Sequence, residues 1–113
     1  MAILRHMILP WLTLMIAGLS EVGWAYYLKK SDGFTQLWPS LVFLLLLGMS
    51  MGLLAFSIRH IPIGIAYPIW TGIGAVGAVA LGFLFFAEPF GFLKGFFVAM
   101  IIVGIVGLKI TNT

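Results

Sequence analysis

The stretch Met7-Ile8-Leu9-Pro10-Trp11-Leu12-Thr13-Leu14-Met15-Ile16-Ala17-Gly18-Leu19-Ser20-Glu21-Val22-Gly23-Trp24-Ala25-Tyr26-Tyr27-Leu28 decides the fold. It has the length of a bilayer-crossing helix, about 20 apolar residues, and one ionisable side chain, Glu21, interrupts it. Arg5 and His6 stand ahead of it as they would before a signal peptide. The length of the run, its acid and its tryptophans, and the lack of a small-x-small cleavage site predict a retained helix instead. Three further apolar runs follow, and the set predicts helices at 7–28, 39–58, 63–87 and 92–108. Polar breaks separate them: Lys29-Lys30-Ser31-Asp32-Gly33, then Arg59-His60-Ile61-Pro62, then Glu88-Pro89-Phe90-Gly91. Gly, Ser, Asp and Pro in these breaks are turn formers, and Pro39 opens the second run at a position where a helix tolerates proline.

Composition closes off the alternatives. Of 113 residues, 63% are hydrophobic and 8% charged, against roughly 25% charged in an ordinary globular protein. So few charges cannot clothe a water-soluble surface. Four spans of about 20 residues consume most of the chain, which leaves room for short loops and no extramembrane domain. The expectation is a single integral membrane domain over 1–113, all-α, with four transmembrane helices. The runs are too long and too evenly apolar for barrel strands. The absence of cysteine excludes disulfides, thiolate metal sites and cysteine nucleophiles. No metal and no cofactor is expected. There is no nucleophile–base–orienter set and the two histidines lie outside the runs, so an enzyme is excluded. The net charge of +3 comes from scattered basic residues. It suits contact with the lipid bilayer and gives no basis for nucleic-acid binding.

Glu21 lies about 14 residues into the first run, hence about 20 Å from its start at 1.5 Å per residue. A carboxyl group at that depth is costly, and such residues face a bundle interior and serve ion or proton pathways; the plainer reading is a protonated acid that glues helices. Gly18, Glu21, Trp24, Ala25 and Leu28 share one helical face. On that face Gly18, with Ala17 beside it, leaves room for the carboxylate, and Trp24 brings an indole N–H and a π surface. In the third run Gly64, Tyr67, Trp70, Thr71 and Gly74 share a face, although Tyr67 and Trp70 also suit an interfacial aromatic belt. A carboxylate among rings is what an organic cation needs when it leaves water. One glutamate in so small a chain suggests a dimer. Gly104 and Gly107, or Gly72 to Gly77, are the small residues that let helices approach closely.

With four spans, Arg5, Arg59 and Lys109 fall on one side of the membrane and Lys29, Lys30 and Lys94 on the other. Orientation follows the Lys/Arg bias, and the two sides tie. The tie predicts insertion both ways and an antiparallel homodimer, unless lipid or one dominant loop decides.

The chain resembles the small multidrug resistance family of bacterial inner-membrane exporters. The resemblance rests on Ala17-Gly18-Leu19-Ser20-Glu21-Val22-Gly23-Trp24-Ala25, on Leu28-Lys29-Lys30-Ser31-Asp32-Gly33-Phe34-Thr35, on Pro62-Ile63-Gly64-Ile65-Ala66-Tyr67, and on Ile69-Trp70-Thr71-Gly72-Ile73-Gly74-Ala75-Val76-Gly77-Ala78. Trp24, Thr71-Gly72-Ile73-Gly74-Ala75, Glu88-Pro89 and Lys109 look like the guanidinium-exporting branch. The resemblance implies a multi-pass inner-membrane antiporter that exchanges protons for guanidinium or small guanidinyl cations, built as an antiparallel dual-topology homodimer or as a heterodimer with a related chain. It further implies that Glu21 binds substrate and protons alternately, that Trp24 and Ser50 orient it, and that Tyr67 and Trp70 line the site. Pro68 departs from the family pattern, which has alanine there. The alternatives are a multidrug exporter of quaternary ammonium or other lipophilic cations with the same fold, a passive ion channel, and a helix-assembly protein.

Overall fold

Four helices make up the computed structural model: α1 (Ala2–Lys30), α2 (Leu37–Ser57), α3 (Ile63–Phe85) and α4 (Phe92–Thr111). It describes residues 2–111, with side chains from residue 8 onward, so the side chains of Arg5 and His6 lie outside the described residues. All four helices are long and apolar enough to cross a membrane. The fold is all-helical, as the hydrophobic runs require.

The helix ends differ from those expected, each for a local reason. α1 begins at Ala2 rather than Met7 and keeps Lys29 and Lys30 in its last turn, because lysines favour the C-terminal end of the helix dipole. α2 begins at Leu37 rather than Pro39; proline is tolerated in a first turn, whose N–H groups have no intrahelical acceptor. α3 stops at Phe85 rather than Ala87. Ala87 is left-handed, with φ of 55°, and the Phe86 and Glu88 amides both donate to the Gly82 carbonyl, at 3.2 and 3.0 Å. α4 runs past Leu108 to Thr111, since backbone hydrogen bonding continues where apolar side chains stop.

The turn between α1 and α2 is tight. Asp32, Gly33 and Phe34 all have left-handed φ, 49°, 69° and 67°. The buried Ser31 hydroxyl organises it, donating to the Leu28 carbonyl at 2.7 Å and accepting from the Phe34 amide at 3.2 Å.

The core lies where α1, α2 and α3 meet and contains Leu14, Ala17, Leu54, Ile61, Ala66, Ile69 and Trp70. Two buried serines, one heptad apart on α2, clasp carbonyls one heptad apart on α1. Ser50 Oγ donates to the Ala17 carbonyl at 2.8 Å, and Ser57 Oγ donates to that of Pro10 at 3.1 Å. Where no water is available, a hydroxyl must find such an internal acceptor, and the pair fixes the register of α1 against α2. α4 packs mainly along α3 and buries no residue of its own.

Lysines at both ends of the bundle rest on aromatic rings. Lys30 Nζ is 5.8 Å from the Tyr26 ring centroid and 5.7 Å from that of Phe86, and Lys29 Nζ is 6.0 Å from the latter. At the opposite end Lys109 Nζ is 4.8 Å from the Trp11 ring.

Candidate functional site

The polar centre is built along α1, beginning with Ala17 and ending with Trp24. Ala17 is fully buried, and its carbonyl accepts from Ser50. The same Ser50 oxygen accepts from Trp70 Nε1 of α3 at 3.0 Å. Trp70 is therefore 6% exposed yet fully satisfied, and one hydroxyl joins three helices. Tyr67, one turn earlier on α3, sets its ring 5.4 Å from that of Trp70 while keeping half its surface open.

One turn beyond Ala17, the Glu21 side chain lies against the backbone of α3 at Gly74. A Cβ added there would overlap the Glu21 carboxyl carbon and Oε1 and would stand 2.7 Å from its Cγ. Glu21 Oε2 is buried and has no hydrogen-bond partner among the described residues. One turn further, Trp24 Nε1 is also buried without a partner, and its ring packs edge-on against Phe43 of α2, with centroids 5.7 Å apart.

The structure thus brings Ser50, Trp70 and Tyr67 together, and sets Glu21 and Trp24 on the adjoining turns of α1. It does not connect Ser50 or Trp24 to the Glu21 carboxylate. The Ser50 proton is committed to a main-chain carbonyl, and the Trp24 indole is turned to the aromatic edge of α2. The room beside Glu21 also differs from that expected. Gly18 is filled from α3, since a Cβ on it would meet Ile73 at 2.8 Å, and the space comes from Gly74 across the interface. Gly72 faces Ile105 of α4 and Gly77 faces Val22 of α1, whereas Gly104 and Gly107 face nothing within 4 Å in the single chain. α3 stays helical through Pro68, which lacks the N–H that would serve the Gly64 carbonyl.

Sequence reasoning missed Ser57 and Phe43. The heptad spacing of Ser50 and Ser57 in an otherwise apolar helix was the available signal for the first. Phe43 carried none, being one apolar residue among many. An apolar groove between α1, α3 and α4, lined by Leu19, Val22, Ile73, Val76 and Ile105 among others, offers no group that would hold a cation. Among the described residues no His, Cys, Asp or Glu cluster is fit to hold a metal.

Bilayer-length helices enclosing a carboxyl group and an indole N–H define a multi-pass integral membrane protein with a polar centre. A family model described as Small Multidrug Resistance protein matches residues 9–101, and the chain belongs to that family. It is 42% identical over 104 residues to a protein of Proteus vulgaris named Guanidinium exporter, covering 92% of this chain and 100% of that one. It is 43% identical over 104 residues to the Guanidinium exporter of Escherichia coli strain K12, covering 92% and 99%. For the protein of that name in Yersinia pseudotuberculosis the identity is 42% over 104 residues, covering 92% and 100%. These relatives carry the name of a transporter and not of an enzyme.

Proposed function

We propose that the chain is a proton-coupled antiporter that exports guanidinium and small guanidinyl cations across the bacterial inner membrane, working as an antiparallel dual-topology homodimer. The observation that carries this reading is the pair of buried, unpartnered atoms one turn apart on α1, Glu21 Oε2 and Trp24 Nε1. Leaving polar atoms unsatisfied in a low-dielectric interior costs free energy. A cation with N–H donors satisfies the Glu21 oxygen and recovers part of it, while the Trp24 N–H, itself a donor, has the carboxylate as its acceptor. A guanidinium presents N–H donors in a planar fork that matches a carboxylate, and its flat face stacks on aromatic rings. The relatives named Guanidinium exporter support the same substrate.

In this reading Glu21 takes the cation and the proton by turns. The Trp24 N–H, unpartnered in this structure, turns to donate to the carboxylate once it is charged. Ser50 holds the Trp70 ring, and Tyr67 and Trp70 line the space. Exclusive occupancy of Glu21 gives the coupling, because protons must leave before the cation binds and their return discharges it. The tied Lys/Arg count supports insertion both ways. α4, with no buried residue and with Gly104 and Gly107 open, supports close approach of a second copy or of a related chain. Alternating access is then an exchange between two protomer conformations whose balance both ligands bias.

The test is transport in proteoliposomes, comparing guanidinium with a tetra-alkylammonium, with and without a pH gradient. Guanidinium movement driven by the gradient, with the tetra-alkylammonium left behind, is the expected result. Preference for the tetra-alkylammonium would move the protein to the multidrug branch, and flux of guanidinium indifferent to the gradient would make it a channel.

A further inference from the structure

We infer that Gly74 is a positioning residue for the Glu21 carboxylate, the missing side chain on α3 being the berth into which that carboxylate folds. The inference builds on the reading of Glu21 as the group that binds the cation.

It comes from the seam between α1 and α3. Three facing pairs define it: Gly18 with Ile73, Glu21 with Gly74, and Val22 with Gly77. Numbers rise together on both helices, so the two run parallel. The glycine changes sides along the seam. At the first pair α1 supplies the gap and α3 the bulk; at the next two α1 supplies the bulk and α3 the gap. The changeover falls at the level of Glu21. The rotation of α3 that presents Gly74 there is held one turn earlier, where Trp70 is tied through Ser50 to the Ala17 carbonyl, itself one turn before Glu21.

The three glycines differ in what an added methyl would meet. At Gly18 it would meet Ile73 Cβ and Cγ2 at 2.8 Å, and at Gly77 it would overlap Val22. Both neighbours are β-branched and stiff, so the helices themselves would have to part. At Gly74 it would meet the carboxyl end of a long side chain. That end can swing aside, so a methyl at Gly74 displaces the acid and leaves the helix contact intact. Gly72 is the natural control. Its added methyl would meet Ile105 Cδ1 at 2.8 Å and Cγ1 at 2.9 Å, with Ile101 Cγ2 at 3.5 Å, all on α4 and away from Glu21.

The test uses Gly74→Ala, Gly72→Ala, Glu21→Asp and the double variant of Gly74→Ala with Glu21→Asp, all as full-length purified protein. Two readouts are taken: the carbon-13 signal of the Glu21 side-chain carboxyl, and guanidinium binding by calorimetric titration. Gly74→Ala is expected to move the carboxyl signal and to weaken binding about tenfold, about 1.4 kcal/mol. Gly72→Ala is expected to move neither. The aspartate is one methylene shorter and clears the added methyl, so the double variant is expected to bind more tightly than Gly74→Ala alone. A carboxyl signal unmoved by Gly74→Ala, or a double variant weaker than Gly74→Ala, overturns the inference. If the wild type fails to bind guanidinium, the functional reading falls while the carboxyl signal still decides the role of Gly74.

Discussion

Trp70 donates its indole N–H to the hydroxyl oxygen of Ser50 at 3.0 Å, and this bond ties the third helix to the first through the second. The two partners are not equivalent. Ser50 also donates to Ala17 and stays satisfied without the indole, whereas Trp70 Nε1 has this one acceptor among the described residues.

Ser50→Ala should therefore destabilise the protein more than Ser57→Ala, which removes the matching hydroxyl bond to an α1 carbonyl but orphans no indole. Orphaning a buried donor costs about 1–3 kcal/mol, while losing one hydrogen bond inside a membrane bundle costs about 0.6 kcal/mol on average. Unfolding in mixed detergent micelles measures both. Equal losses would mean that the Trp70 indole does not depend on the Ser50 hydroxyl.

Glu21→Gln keeps the size and the hydrogen-bonding capacity of the side chain and removes its charge and proton. The variant should insert into the membrane as the wild type does, yet guanidinium transport driven by a pH gradient should vanish. Glu21→Asp should retain transport with an altered pH profile, because the acid survives with a shorter reach. Normal transport by the glutamine variant in proteoliposomes would sink the exchange mechanism.

Trp24 packs against Phe43 with its N–H unspent, so its two contributions can be separated. Trp24→Phe keeps a ring for Phe43 and deletes the donor. Losing a donor to a charged acceptor costs about 1.5–3 kcal/mol, and guanidinium binding should weaken about tenfold or more. Trp24→Gly removes the bulk as well, and should raise binding of a tetra-alkylammonium relative to guanidinium. A binding ratio unchanged in both variants would make Trp24 a packing residue only.

Topology offers an independent check. Reporters fused to the C-terminus should find it on both sides of the membrane, and two lysines added to the turn after α1 should shift the population to one side. A single fixed orientation of the wild-type chain would exclude the antiparallel homodimer.

Length and hydropathy sufficed for the four helices, because a bilayer admits few ways to satisfy a backbone and each run had the required span. The ends were less legible. Lys29 and Lys30 read as loop residues by polarity, yet the backbone stays helical under them and their long stems carry the charge outward. For the site, Glu21 was conspicuous by its cost in hydrocarbon, and Trp24, Tyr67 and Trp70 by their spacing. What spacing could not convey was which face of α3 meets which face of α1. Gly18 therefore read as the gap beside the acid, when Ile73 fills it and Gly74 provides the gap. Ser50 was assigned to Glu21 by the family resemblance and not by spacing. Only the packed helices reveal that its hydroxyl proton goes to a main-chain oxygen.

The lysines that rest on aromatic rings bear on how the molecule can move. Lys30 lies against Tyr26 and Phe86 at one end, and Lys109 against Trp11 at the other. Charged heads and amphipathic rings of this kind settle at the bilayer–water boundary, so the bundle is moored at both surfaces. A piston stroke along the membrane normal would drag one set of ammonium groups into hydrocarbon. Tilting and twisting between two fixed planes incurs no such penalty, and those are the motions left for carrying a solute from one face to the other.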